Sequence, residues 1–258
     1  MFVTKFDGRK EGFSREKITR TCARAGMKME DAIAISERIE RRSANGMSTE
    51  DIYRMVLEEI NSKHKILFRL REAIARLDPQ SFEIYVKRLL ESSGYKCEWD
   101  RLLDGKCIEH QVDIVAEKEG KRYIVECKHH RNHHRYLGLG IALQVQARLE
   151  DILDKGHVFR AWLVTNTKFS EHAKTYSGKK DILLTGWGYN GELALEKLIH
   201  GSMMYPITLL DAGNDIRRLL AKRMVTVSDV AESGKMAASI IGQNNFDSLM
   251  KQVQELAA

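Results

Sequence analysis

Apolar positions along the chain follow a short strand period, then a helical one, then strands again, and end in a helical tail. Phe2 to Phe6 alternate, Asp7-Gly8 is a turn signal, and Lys10 to Phe13 can return as a second strand. Ser14 then offers a helix N-cap, with Ile18, Cys22 and Ala25 on one face of the helix it opens. A second helix is expected from about Glu30 to Arg42. A third is announced by the cap and acidic first turn Ser48-Thr49-Glu50-Asp51 and continues through Ile52, Met55, Val56 and Ile60. Residues 61–78 stay helical in pattern, with Ile66, Leu70, Ile74 and Leu77 at near-helical spacing, until Asp78-Pro79 ends the run. Pro79 opens another amphipathic helix, with Phe82, Tyr85, Val86, Leu89 and Leu90 on its stripe and Glu83 off it, closing at Ser92-Ser93-Gly94.

Beyond Gly94 the period shortens. Tyr95 to Trp99 reads as a strand and Asp100 to Lys106 as a polar loop, followed by QVDIVAEKEGKRYIVECK from Gln111 to Lys128. Its halves QVDIVA and RYIVEC are β-branched and aromatic and EKEG is a turn signal, so the stretch predicts a β-hairpin. With Glu119-Gly120 at the turn centre, Val115 falls opposite Ile124 and Asp113 opposite Glu126. A helix over 141–153, a buried strand over 161–165, a helix over 170–176 and a short strand over 182–185 follow. This order predicts a mixed central sheet flanked by helices, an α/β arrangement within an α+β multidomain chain. After Tyr205-Pro206 come short helices, Ile216 to Arg223, Thr226 to Glu232, Met236 to Ile241 and Phe246 to Leu256. The expected domains are residues 1–77, 78–200 and 201–258.

Two carboxylates directly opposed across a hairpin have Cβ atoms about 5 Å apart and repel unless something positive lies between them. Lys128, two residues past Glu126, points to the same face of its strand. Asp113, Glu126 and Lys128 thus form a candidate divalent-metal site with a cationic neighbour.

The net charge of the 258 residues is +6, which turns attention to anionic partners, but its distribution is uneven. Lys and Arg number 17 against 12 Asp and Glu in residues 1–77, 19 against 18 in 78–200, and 6 against 6 in 201–258. The excess therefore favours an anionic ligand for the first segment more than DNA for the second. Cys22, Cys97, Cys107 and Cys127 form no CxxC pair, which argues against a zinc ribbon or disulfide framework. No apolar run approaches the ~18 residues of a membrane span and the N-terminus lacks a signal-peptide core, so a cytoplasmic protein is expected.

In the first segment Lys5, Arg9, Lys10 and Lys17 would come together as a phosphate-binding patch. The pattern VTKFDGRKEGFSREKI resembles the ATP-cone, a regulatory nucleotide-binding domain: the Val-x-Lys-x-Asp-Gly turn, the Glu three residues after the Gly, the Lys opening the first helix and a later Ser-Thr-x-x-Ile all match. The resemblance implies that Val3, Lys5, Glu11, Lys17 and Thr49 surround ATP or dATP. Many members carry a basic residue where this chain has Phe6; either Arg9 and Lys10 supply the missing charge or phosphate affinity is lower.

The central segment resembles the PD-(D/E)xK nucleases, most closely the Mrr-like restriction endonucleases. The match is the helix QSFEIYVKRLLESSGY, then QVDIVA, then YIVECK, then a helix carrying a Gln. Asp113, Glu126 and Lys128 fall on the D…ExK positions, Glu83 on the acidic position of the first helix, and Gln144 on the later helix. Phosphodiester hydrolysis needs a hard cation to neutralise phosphoryl charge and acidify water, and carboxylates bind such cations. Asp113, Glu126 and the backbone carbonyl of Cys127 would hold Mg²⁺ or Mn²⁺, with Glu83 on a second metal or a metal-bound water and Lys128 orienting the attacking water. Gln144 would touch the nucleic-acid backbone or the edge of the site. The expected protein is a DNA endonuclease controlled by adenine nucleotide. An RNA-directed nuclease and a non-catalytic nucleotide-sensing regulator are the alternatives, and the missing GxxxxGK[ST] loop argues against ATP hydrolysis.

The cluster His129, His130, His133 and His134, interleaved with Arg131 and Arg135, is expected in a loop, along a phosphate backbone or solvated rather than on a metal. His110 is expected to be a hydrogen-bonded structural residue, and Trp187 a packed aromatic in a turn. LLAKRMVTVSDVAES is similar to helix-hairpin-helix modules, with Met224 where a hairpin Gly is expected; packing or homodimerisation is an equally good role for this tail.

Overall fold

The computed structural model describes residues 1–5, 7–60, 62–189 and 193–257; Phe6 and the side chain of Ile66 lie outside the described residues. The chain divides into two compact units, residues 1–70 with 251–258 and residues 71–250.

In the first unit β1 (Phe2–Thr4) pairs antiparallel with β2 (Lys10–Gly12), setting Val3 opposite Glu11. Gly8 takes φ +79° in the turn, and its N–H donates to the Lys5 carbonyl at 2.9 Å. Ser14 caps α1 (Arg15–Arg24), its hydroxyl accepting from the Lys17 amide at 3.3 Å. After α2 (Met29–Arg42), Ser48 caps α3 (Thr49–Glu59) in the same way at 3.0 Å. The Thr4 amide donates to the Met47 carbonyl at 3.0 Å, fastening the start of α3 to the hairpin. Cys22, Ala32, Ile35, Ile39, Val56 and Ile60 form the core between the three helices. The expected helix over 61–78 is two short ones, α4 (Ser62–Phe68) and α5 (Leu70–Ala75), parted by a turn at Arg69.

The second unit is organised by α6 (Pro79–Ser92). Asp78 caps it, accepting from the Ser81 amide at 2.9 Å, and Pro79 fixes its first φ. The strands β3 (Lys96–Asp104), β4 (Glu109–Lys118) and β5 (Lys121–Lys128) form an antiparallel meander. A short β6 (Tyr136–Leu137) and the crossover helix α7 (Leu139–Asp154) lead to β7 (Arg160–Thr165). Then follow β8 (Lys168–Phe169), α8 (Glu171–Lys179) and β9 (Leu183–Thr185). The sheet order is β3-β4-β5-β7-β9, with β5, β7 and β9 parallel. Val115, Ile124, Leu163 and Leu184 from the sheet pack with Ala142, Val145, Leu149 and Ile152 of α7.

The residues expected as a polar loop, Asp100 to Asp104, instead continue β3, because Arg101 to Asp104 pair with Glu109 to Val112 and lengthen the meander. Its tip is held by Asp151 at the end of α7. That carboxylate accepts from the Cys107 amide at 2.8 Å and meets His110 Nε2 at 2.7 Å.

The tail adds α9 (Leu195–Ser202), α10 (Asn214–Leu220), α11 (Val227–Glu232), α12 (Gly234–Ile241) and α13 (Gln243–Ala257). Residues 201–250 lie in the same compact unit as the sheet. Tyr85 Oη on α6 donates to the Met204 carbonyl at 2.7 Å, and Thr208 Oγ1 donates to the Ala73 carbonyl at 2.6 Å. Between α10 and α11 the left-handed residue is Arg223 (φ +60°), one position before the expected Met224, because Met224 is buried and its side chain belongs to the core.

Gly186 sits where a Cβ would lie 2.6 Å from Cε2 of the buried Phe169 and 3.0 Å from the Thr167 carbonyl oxygen. Gly186→Ala is therefore expected to destabilise the fold by roughly 1–3 kcal/mol, read as a lowered urea midpoint with unchanged slope; an unchanged midpoint would show that this approach is not tight.

Candidate active site

The β4–β5 hairpin turns through Glu119 (φ +51°) and Gly120 (φ +72°), the two left-handed residues of a type I′ turn. That turn fixes the register: Val115 faces Ile124 and Ile114 faces Val125, as the sequence predicts. Regular pairing ends there. Past it, Asp113 Oδ2 accepts from the Cys127 amide at 2.7 Å, so the side chain takes over from the ladder. On its other side, Asp113 and Asp100 drop out of the β3–β4 ladder, and Asp100 is left-handed at φ +54°.

Glu126 is buried, and a buried carboxylate needs counter-charge. Lys128 Nζ meets its Oε1 at 2.6 Å, and Arg148 of α7 pairs with its Oε2. Glu83, on α6, accepts at Oε2 from the indole N–H of Trp99 at 3.1 Å. Burial, opposed by the Trp99 hydrogen bond and reinforced by repulsion from Asp113, Asp100 and Glu126, pushes the Glu83 carboxyl up to about 7. Burial and then repulsion from Glu126 push Asp113 up to about 6. Glu83, Asp113 and Glu126 therefore share one electrostatic neighbourhood, which Asp100 joins at its edge.

The strand ends around Lys128 are tied down. Thr165 Oγ1 donates to the Lys128 carbonyl at 2.7 Å, and the Asn166 side chain exchanges two 2.8 Å hydrogen bonds with the His130 backbone. Residues 129–135 form a loop, as expected. His129 Nε2 lies 3.1 Å from the Ile74 carbonyl oxygen, and the His133 carbonyl accepts from Arg71. Burial, then repulsion from Arg71, pulls the His133 imidazole down to about 4. Arg131, His134 and Arg135 are exposed. Gln144 is also exposed, one helical turn before Arg148 and so on its face of α7. His110 is the hydrogen-bonded structural residue expected, and Trp187 is packed in its turn.

Arg148, Trp99, Asp100 and Asn166 belong to this neighbourhood without having been singled out in the sequence. For Arg148 the i, i+4 spacing from Gln144 is a usable signal, and for Asn166 the polar run Thr165-Asn166-Thr167 at the carboxyl end of a buried strand is another. Nothing local marks Trp99.

In the first unit Glu11 bridges Lys5 Nζ, at 2.9 Å, and Lys17. Burial and then repulsion from Lys5 lower the Lys17 ammonium below its ordinary value. Val3 is buried opposite Glu11, and Thr49 follows Ser48, which bridges to Thr4. Val3, Lys5, Glu11, Lys17 and Thr49 are thus gathered around the hairpin. Arg9 instead pairs with Asp7 at 2.6 Å, and Lys10 lies over the Phe2 ring at 4.7 Å, the pairing register placing it with Thr4 rather than with Val3 and Glu11.

The sequence matches the Mrr-type restriction endonuclease family over residues 74–186 and the ATP cone domain family over residues 1–89. An uncharacterized protein of Archaeoglobus fulgidus is 38% identical over 156 residues, covering 60% of this chain and 88% of that protein. The chain thus joins an ATP cone domain to an Mrr-type restriction endonuclease domain. A crystal structure of a protein of unknown function, AF1548, superposes with a TM-score of 0.59 at 34% identity over 70% of this chain and 97% of that one. Can2 from Sulfobacillus thermosulfidooxidans, solved with cyclic tetra-adenylate, is far more distant, at TM-score 0.37 and 10% identity over 76% of this chain and 63% of that one. Among the described residues no helix is long and apolar enough to cross a membrane.

Nucleases of this fold imply a divalent metal. Among the described residues no three His, Cys, Asp or Glu side chains are already grouped as a metal site. The donor chemistry nevertheless fits a hard cation: Glu83 and Asp113 are carboxyls whose charged forms are disfavoured by burial and by one another, a repulsion a divalent ion relieves.

The raised carboxyls fix the sign of a pH effect. An acid whose folded pKa lies above its unfolded value takes up protons on folding, so stability falls as pH rises from about 4 to about 7 and levels off beyond. Asp113→Asn, which can still accept from Cys127, is expected to stabilise the protein at pH 8 by on the order of 1–3 kcal/mol and much less at pH 4. Thermal melts at the two pH values measure this; a variant less stable than wild type at pH 8 would contradict it.

Proposed function

We propose that this Mrr-type protein is a metal-dependent endonuclease that hydrolyses phosphodiester bonds in DNA and is regulated by ATP or dATP bound at its cone. The observation that carries the reading is the convergence of Asp113, Glu126 and Lys128 at the end of one hairpin, with Glu83 in the same electrostatic field. Asp113, Glu126, Glu83 and the Cys127 carbonyl would hold Mg²⁺ or Mn²⁺. Such an ion supplies Lewis-acid stabilisation of phosphoryl charge and a more acidic water.

The rest is work for the chain. Lys128, tethered to Glu126, orients the attacking water and stabilises charge on the phosphoryl oxygens. Arg148 holds the other Glu126 oxygen and presents a guanidinium, whose fork matches phosphate geometry, at the same place. Gln144 and the exposed Arg131 and Arg135 offer polar and positive groups to the strand beside the scissile bond.

Control requires that nucleotide bind two states with different affinity. The end of the interdomain connector is suited to transmit this, because Arg71 and Ile74 grip the loop that leaves Lys128. At the cone, Lys5 and Lys17 would bind phosphates.

Incubation with supercoiled, linear and single-stranded DNA and with RNA, with Mg²⁺ or Mn²⁺ and with or without ATP, tests the reading. Wild type should cut DNA, and Lys128→Ala should cut at least about a hundredfold more slowly. Cleavage of RNA alone would shift the substrate class, and equal cutting by the variant would remove Lys128 from the chemistry. In calorimetry Lys5→Ala is expected to weaken ATP binding roughly tenfold or more; an unaltered affinity would place the nucleotide elsewhere.

A further inference from the structure

Glu126 is held by two cations, Lys128 and Arg148, but Glu83 is held differently. Among the described residues its one polar contact is the indole N–H of Trp99, a donor that carries no charge. An indole can aim one carboxylate oxygen while leaving the negative charge intact and the other oxygen open to a ligand. A Lys or Arg in the same place would orient Glu83 and cancel its charge.

Trp99 is itself fixed from the far end of the sequence. The Arg223 guanidinium lies over its ring, 4.8 Å from the centroid, within cation–π range. Arg223 occupies the left-handed position of the α10–α11 hairpin at φ +60°, a conformation that costs a residue with a Cβ roughly 1 kcal/mol or more and that glycine takes freely. The hairpin is rigid around it: the Val225 and Thr226 amides both donate to Asp229 Oδ2 at 2.9 Å, and Asp229 also meets Arg88 of α6 at 3.5 Å. The contacts therefore close a ring from Glu83 through Trp99, Arg223 and Asp229 to Arg88, back on the helix that carries Glu83.

We propose that Trp99 is a positioning residue that aims the Glu83 carboxylate at the cation site, and that Arg223 of the C-terminal hairpin locks Trp99 in that role. This makes the C-terminal helices a working part of the nuclease site. The inference rests on the reading above that Glu83 helps to hold the divalent ion.

The test is Mn²⁺ binding to the full-length protein, by calorimetry and by paramagnetic resonance of the free ion, with melting temperature recorded in parallel. Glu83→Gln should weaken Mn²⁺ binding. Trp99→Phe, which keeps a ring under Arg223 but loses the N–H, should weaken it about tenfold. Arg223→Gly removes the guanidinium while relieving the left-handed backbone, so it should weaken Mn²⁺ binding without lowering the melting temperature, a combination that loss of structure would not produce. Trp99→Phe added to Glu83→Gln should cause no further loss. If Glu83→Gln weakens binding and Trp99→Phe matches wild type, the positioning role is wrong while the carboxylate reading stands. If Glu83→Gln binds Mn²⁺ as wild type does, the reading of Glu83 falls and the role of Trp99 falls with it.

Discussion

The nuclease unit is built around a concentration of negative charge that the fold creates and only partly neutralises. Glu83, Asp113 and Glu126 come from a helix and two strands, and each is drawn in by packing that has nothing to do with charge: the apolar stripe of α6 and the hairpin register of β4 and β5. Glu126 is balanced by Lys128 and Arg148. Glu83 and Asp113 are not balanced in the same way, and their raised carboxyls record the deficit. A site optimised for stability would have been neutral. On the proposed function the imbalance is what a bound cation would relieve, and it follows the general tendency for strain and unfavourable electrostatics to collect where chemistry is done.

The surroundings of Lys128 show why such a site must be braced. β5 ends at Lys128, so its backbone there is at the margin of the sheet. Thr165 and Asn166, from the neighbouring parallel strand, satisfy the backbone of Lys128 and His130, and His129 reaches back to Ile74 before the loop turns outward. Braces from the end of β7 and from Ile74 thus fall on three successive residues, Lys128, His129 and His130. A shift in either element alters where the Lys128 ammonium stands relative to Glu126, and a displacement of about 1 Å is enough to matter for a positioned catalytic group.

Much of this was legible in the sequence, because it rests on local rules. The Glu119-Gly120 turn fixes a register that holds as far as Ile114 and Val125, one pair short of the expected opposition of Asp113 and Glu126, where Asp113 instead takes the Cys127 amide, and the off-stripe position of Glu83 on an amphipathic helix is visible from periodicity. The cap residues Ser14, Ser48 and Asp78 and the turn at Asp7-Gly8 are equally local. What stayed hidden depends on contacts far apart in the chain. Residues 100–104 look like a polar loop until β4 is seen to extend and pair with them. Arg148 is one polar residue of several on α7 until the crossover lays it on Glu126. Trp99 and Arg223 are separated by more than a hundred positions, and neither sits in a motif that announces the other.

The two candidate sites invert one another electrostatically. In the nuclease unit acids crowd together and are held by cations at one member, Glu126. In the cone, Lys5 and Lys17 crowd together and are held by one acid, Glu11, with the Lys17 ammonium lowered by burial and by its neighbour. Each arrangement is stable enough to preform and is left short of counter-charge of one sign. On the proposed function, a phosphate chain supplies the missing negative charge at the cone and a divalent ion the missing positive charge at the nuclease. On that reading both ligands stabilise the state that holds their groups closest, and the hold of Arg71 and Ile74 on the loop after Lys128 is where the first event would bias the second.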